Sequence, residues 1–164
     1  MVVTNLTSAG VIYDISYAFG ATTMTKQRVL FLCNANSARS LMGEALLRHL
    51  AGDRFEAFSA GSEPDEPHSL TLATLTKQGI STEGLASKSL DDFAGEHFNA
   101  VIVLCDKAQQ ACRDWQGSSD EHLYWDIRDP RLIERRDAYE QALNEIRQRL
   151  SLWLQIKARD DIQR

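Results

Sequence analysis

Residues 28–40, Arg-Val-Leu-Phe-Leu-Cys-Asn-Ala-Asn-Ser-Ala-Arg-Ser, decide the fold. Val29, Leu30, Phe31 and Leu32 form a short apolar run, the kind that makes a strand buried on both faces. The run stops at Cys33. Small and polar residues follow, and after Arg39 and Ser40 comes a helical pattern in Leu41, Met42, Ala45, Leu46 and Leu50. The stretch therefore reads strand, tight loop, helix, with a cysteine at the C-terminal edge of the strand. In an open parallel sheet that edge is where ligands sit.

Five residues, Asn34, Ala35, Asn36, Ser37 and Ala38, separate Cys33 from Arg39. A loop of that length can curl its N–H groups around a tetrahedral oxyanion, and the helix behind it adds the positive end of its dipole. The same field favours a thiolate and makes Cys33 a nucleophile at neutral pH. Arg39 brings a planar fork for two oxyanion oxygens, and Ser40 can donate to the sulfur. The loop residues 34–39 are the expected substrate-binding set.

Further along, residues 55–61 alternate and end in small residues, predicting a second strand reached by a right-handed crossover through the first helix, 38–51, with Gly52 at its C-terminal cap. Leu72 and Leu75 predict a helix over 68–78, ended by Gly79. Residues 80–88 read as a connector, and Ser89 caps a short helix to 93. Residues 99–105 are a third apolar strand, again ending on a cysteine, Cys105. A short helix over 106–115 contains Cys112, and a fourth strand is expected at 121–126. The last helix is expected over 132–158, with Tyr139, Ala142, Leu143, Ile146, Leu150, Trp153 and Leu154 on its apolar face. The result is a three-layer α/β/α fold around a central four-stranded parallel sheet. The catalytic domain is expected over 27–158, after an N-terminal extension, 1–26, of unknown role. Residues 159–164 form a tail. Met24 is a possible start, and a partner-binding arm is the functional alternative for the residues before it.

The chain has 164 residues, 43% hydrophobic and 25% charged, with a net charge of −5, which fits one soluble domain. The negative balance argues against non-specific nucleic-acid binding, and no apolar run reaches the ~20 residues of a membrane span. The start lacks the basic residues of a secretory signal. Three cysteines make a disulfide framework improbable and a catalytic or redox role in a cytoplasmic protein the expectation. No cluster has metal-ligand spacing and no cofactor is expected.

The Cys33-x5-Arg39-Ser40 segment resembles the signature of the low-molecular-weight protein tyrosine phosphatase superfamily, which includes the thioredoxin-coupled arsenate reductases; the likeness runs over 27–154. Cys105 and Cys112, with six residues between them, are similar to the reductases' redox relay, and the first loop has Ala38 where the phosphatases more often carry a second cysteine. The ends of neighbouring parallel strands converge, which brings Cys105 toward Cys33. Residues seven apart on an intact helix rise about 10 Å, whereas disulfide Cα atoms sit about 5.5–6 Å apart. A Cys105–Cys112 bond therefore requires that segment to unwind.

The resemblance implies a general acid in the Asp129-Pro130 pair, with Asp126 as competitor. It also implies a loop-supporting polar network of Asn36, Glu44 and Ser59, which holds potassium in some reductases. Here serine and lysine stand at 87–89 where an acidic residue is expected, so no cation is expected. Two activities remain open. In one, Cys33 attacks arsenate, Cys105 and Cys112 relay the disulfide, and thioredoxin or a glutaredoxin is the reductant. In the other, a phosphotyrosine or small aryl phosphate ester is hydrolysed through a cysteinyl-phosphate. A module that only binds a partner is a third reading, against which Cys33, Arg39 and Asp129 speak.

Overall fold

A computed structural model describes residues 25–164 and, before them, only the backbone of a short antiparallel pair, β1 (Thr4–Leu6) and β2 (Ile12–Asp14). The expectations for a partner-binding arm and for Met24 as the start lie outside the described residues.

The apolar run at residues 29–32 is the centre of β3 (Gln27–Cys33), whose residues from Val29 on are buried. It pairs in parallel with β4 (Phe55–Gly61) on one side and with β5 (His97–Val103) on the other. The strand β6 (Ser118–Tyr124) adds to β5, also in parallel, so the order is β4-β3-β5-β6. The expected four-stranded parallel sheet is present. Helices α1 (Arg39–Ala51), α2 (Ser69–Lys77) and α4 (Arg136–Gln163) pack together on one face. The helix α3 (Asp106–Asp114) packs against β3 and β5. A 3₁₀ turn at Leu90–Phe93, capped by Ser89 as expected, brings Phe93 edge-on to Phe58 and Phe98. Arg28 lies over the last two rings and bonds Glu96, a cation–π arrangement that closes the N-terminal end of the sheet.

Several boundaries differ from expectation, among them the third strand, which runs over His97–Val103 rather than 99–105 and so ends two residues before Cys105. The fourth strand starts at Ser118 rather than 121, because main-chain pairing with β5 overrides the weak strand propensity of Ser118, Ser119 and Asp120. The last helix does not start at 132. Pro130–Leu132 is a separate 3₁₀ turn, and Glu134 takes a left-handed φ of 50° that no helix can pass through. At its other end α4 continues to Gln163, past the expected 158, with Lys157 paired to Glu121 of β6. No helix of the described residues is long and apolar enough to cross a membrane.

Candidate active site

The loop after β3 is an anion cradle because of where its carbonyls go. Those of Cys33, Asn34, Ala35 and Ser37 accept from the backbone amides of Ser62, Glu63, Asp65 and His68 at 2.8–3.3 Å. That of Asn36 accepts from the Ser87 hydroxyl at 2.6 Å. With every carbonyl turned outward, the amides face inward, and none from Asn34 to Ser40 has a partner among the described residues. The concentration of unpaired N–H groups at the start of α1 is a site for a multiply charged oxyanion.

Asn36 turns the loop. Its φ is 47°, a left-handed conformation that asparagine tolerates better than most residues. Its side chain is wholly buried. Oδ1 accepts from the Lys88 amide at 2.8 Å, and Nδ2 donates to Ser40 Oγ at 2.7 Å. That leaves the Ser40 hydroxyl hydrogen for the Cys33 sulfur, 2.9 Å away. Gly61, at the end of the adjacent strand, is required by proximity: a Cβ there would stand 2.6 Å from the Asn34 oxygen and 2.8 Å from the Asn36 nitrogen. Gly61→Ala is expected to push the loop out of register and lower turnover by about 10²-fold, with a smaller effect on the melting temperature. Parallel kinetic and thermal measurements check this.

Arg39, at the first position of α1 and 6% exposed, reaches across the loop. Nη1 donates to the Ile127 carbonyl at 2.9 Å, and Nη2 stands 3.3 Å from Asp129 Oδ2. Asp129 thus faces the loop, while Asp126, the competing carboxylate, is exposed. Arg131 holds Asp129 from the other side with its guanidinium and its backbone amide. Burial pushes the Asp129 carboxyl up, but the Arg131 fork and the Arg39 charge outweigh it and hold it below the usual range. The contribution of this carboxylate to stability is therefore present above the ordinary carboxylate range and is lost as pH falls through its depressed value.

Glu44 is 1% exposed, so it is no solvated helix residue. Ser59 donates to its Oε1 at 3.3 Å, the Lys88 ammonium is 3.8 Å from that oxygen, and Arg48 lies 3.5 Å from Oε2. Of the expected network of Asn36, Glu44 and Ser59, Ser59 and Glu44 bond each other directly, whereas Asn36 joins them only through Lys88, whose amide it accepts from and whose ammonium lies beside Glu44. A metal cation there would meet the Lys88 ammonium, so the residues present do not fit one.

Cys105 follows β5 and caps α3; it is 8% exposed. The β3–β5 register pairs Leu32 with Val103, so Cys33 and Cys105 lie one and two residues beyond the last pair on adjacent strands. Cys112 is half-buried on α3, and all three cysteines are thiols. Burial pushes the Cys112 thiol up. Ala108 is the only buried residue of α3. Ala111 and Cys112 pack half-buried against the core, and two bonds tie the helix to β6: Tyr124 donates to Asp106 at 2.5 Å, and His122 bonds Gln109 at 2.9 Å.

Sequence reasoning missed Arg131, although it follows the Asp129-Pro130 pair directly. It also missed His68, whose ring stacks on the buried Tyr139 beside the loop, because no local pattern joins residues that far apart.

Residues 28–163 match the family described as low molecular weight phosphotyrosine protein phosphatase. An arsenate reductase of Halalkalibacterium halodurans is 29% identical over 114 residues, 70% of this chain and 81% of that protein. A glutaredoxin arsenate reductase of Synechocystis is 27% identical over 104 residues, 63% of this chain and 79% of that one. Among solved structures, a thioredoxin-dependent arsenate reductase of Corynebacterium glutamicum superimposes with a TM-score of 0.64 at 30% identity, covering 88% of this chain and 68% of that one.

Proposed function

Because this chain belongs to the low molecular weight phosphotyrosine protein phosphatase family, we propose that it turns the family's oxyanion loop to the reduction of arsenate to arsenite. One observation carries the reading. Beside the loop stands a helix with a single fully buried residue; a buried cysteine precedes it on the strand adjacent to that of Cys33, and a second, half-buried cysteine lies within it. Ester hydrolysis needs neither thiol.

Arsenate binds the loop amides, and Arg39 turns its fork to the oxyanion. Cys33 Sγ, as thiolate, attacks arsenic in dihydrogen arsenate. A sulfur–arsenic bond forms, an arsenic–oxygen bond breaks, and the oxygen leaves as water. Both protons of that water come from the substrate, and the Asp129 carboxylate passes one of them across. Cys105 then attacks Cys33 Sγ. The Cys33–Cys105 disulfide forms, and the sulfur–arsenic electron pair stays on arsenic, reducing arsenic(V) to arsenic(III). The arsenite oxygens take up protons and the product departs as arsenous acid. Cys112 attacks Cys105 Sγ, releases the Cys33 thiolate and carries the disulfide outward to a dithiol reductant, thioredoxin or glutaredoxin.

The last exchange requires α3 to open. A nine-residue helix is marginal by itself, and this one has little burial to hold it. Opening also exposes the Cys112 thiol and removes the burial that suppresses its thiolate. Tyr124→Phe, which removes the bond to Asp106, is expected to speed Cys105–Cys112 disulfide formation under a mild oxidant by roughly threefold to tenfold. Peptide mapping of the quenched disulfide checks it.

The test is arsenate-dependent NADPH oxidation coupled through thioredoxin and, separately, through glutaredoxin, with p-nitrophenyl phosphate hydrolysis alongside. Turnover with either donor that Cys105→Ser abolishes supports the reductase. Brisk ester hydrolysis with no arsenate turnover by either donor makes the protein a phosphatase.

A further inference from the structure

Asp129 does not stand as a lone carboxyl at the mouth of the loop. Arg131 donates to it from Nε at 3.1 and 3.3 Å to the two oxygens, from Nη2 at 2.9 Å, and from its backbone amide at 3.1 Å. Arg39 adds Nη2 at 3.3 Å. The Asp129 and Arg131 side chains are 15% and 28% exposed, so water competes weakly for the pair.

We propose that Arg131 is a specificity-determining residue: by occupying both oxygens of Asp129 it favours a substrate that carries its own protons, dihydrogen arsenate, over aryl phosphate dianions, which bring none for the departing oxygen. The proposal rests on the arsenate reading given above.

The chemistry of the two leaving groups differs at this atom. In arsenate the departing oxygen leaves as water with protons that the substrate brings, and an ionised Asp129 suffices to pass one. In an aryl phosphate the Cys33 sulfur–phosphorus bond forms and the phosphorus–oxygen bond breaks, with its electron pair going to the aryl oxygen. That oxygen must take a proton from Asp129 or leave as the bare phenolate. A carboxylate held by two guanidinium groups has no proton to give. A nitrophenolate tolerates unassisted departure because the ring delocalises its charge, and a plain phenolate does not.

The groups around Asp129 are accounted for on each side. Arg39 comes from α1, Arg131 from the 3₁₀ turn, and the Tyr139 phenol, raised by its burial and by the Asp129 charge, from α4; Cys33 lies within reach of the Arg131 charge. Arg131 is the one whose loss relieves Asp129 without touching the oxyanion loop.

The experiment compares the parent with Arg131→Leu and Arg131→Lys. It measures hydrolysis of phenyl phosphate and p-nitrophenyl phosphate from acid to neutral pH. Arg131→Leu is expected to raise phenyl phosphate turnover at neutral pH by about tenfold, because a carboxyl freed of the Arg131 fork holds a proton for the leaving phenolate more often. The p-nitrophenyl ester should gain less, and the limb on which turnover falls with rising pH should move to higher pH. Arg131→Lys should lie between the two. An unchanged ratio of the two esters with an unchanged falling limb, or an equal loss on both, overturns the proposal, since that is what a merely structural residue would give. Arsenate turnover of the parent is scored separately. If it is absent while the leaving-group ratio still narrows in Arg131→Leu, the arsenate reading fails and the control of Asp129 by Arg131 stands.

Discussion

Cys112→Ser is expected to stop arsenate reduction after one turnover. Cys33 and Cys105 remain, so one equivalent of arsenite should appear in a burst and the protein should be trapped as the Cys33–Cys105 disulfide. Steady-state turnover should fall by at least about 10³-fold, because a disulfide between two buried cysteines is poorly reached by a reductant whose thiolate must approach the sulfur. The half-buried position of Cys112 accommodates a serine, and hydrolysis of p-nitrophenyl phosphate by the reduced variant should persist. Rapid-quench arsenite assay and mass mapping of the disulfide check the prediction. Sustained turnover at the parent rate would mean that the reductant attacks Cys105 directly and that Cys112 carries no step.

Arg39→Lys is expected to lower both arsenate reduction and ester hydrolysis together, by about 10²–10³-fold in kcat/KM, the cost of losing one preorganised oxyanion donor. Charge alone does not replace the arginine. In the resting state its planar fork bonds the Ile127 carbonyl and pairs with Asp129 at once, and on substrate the same geometry spans two oxygens. A lysine offers one point of attachment and a shorter reach. The joint loss separates this position from Cys112, whose replacement should divide the two activities. Retained hydrolysis with arsenate reduction lost would show that Arg39 acts elsewhere than at the oxyanion.

Much of the site was legible because its core is continuous in the chain. Cys33 to Ser40 contains the proposed nucleophile, the loop, the arginine and the serine that touches the sulfur, all within one strand–loop–helix unit. Asp129 was legible through its proline. The fourth strand was displaced in the reading because its exposure alternates along an edge, where sequence preference is weak and pairing decides. Glu44 was readable only through the resemblance; a glutamate on a helix is ordinarily solvated, and nothing local says that Ser59 and Lys88 come to meet it.

The sequence by itself determined the parallel sheet, the strand–loop–helix unit and the three cysteines, since these follow from periodicity, residue size and chemistry over short spans. Tertiary structure alone decided that the loop presents amides rather than carbonyls. The donors that turn the carbonyls outward come from 62–68 and from Ser87, remote in the chain, and a backbone group takes whatever partner the fold brings it. It also decided the charge state of Asp129, because a carboxyl answers to the burial and the cations around it, here Arg131 and Arg39, and not to its place in the sequence.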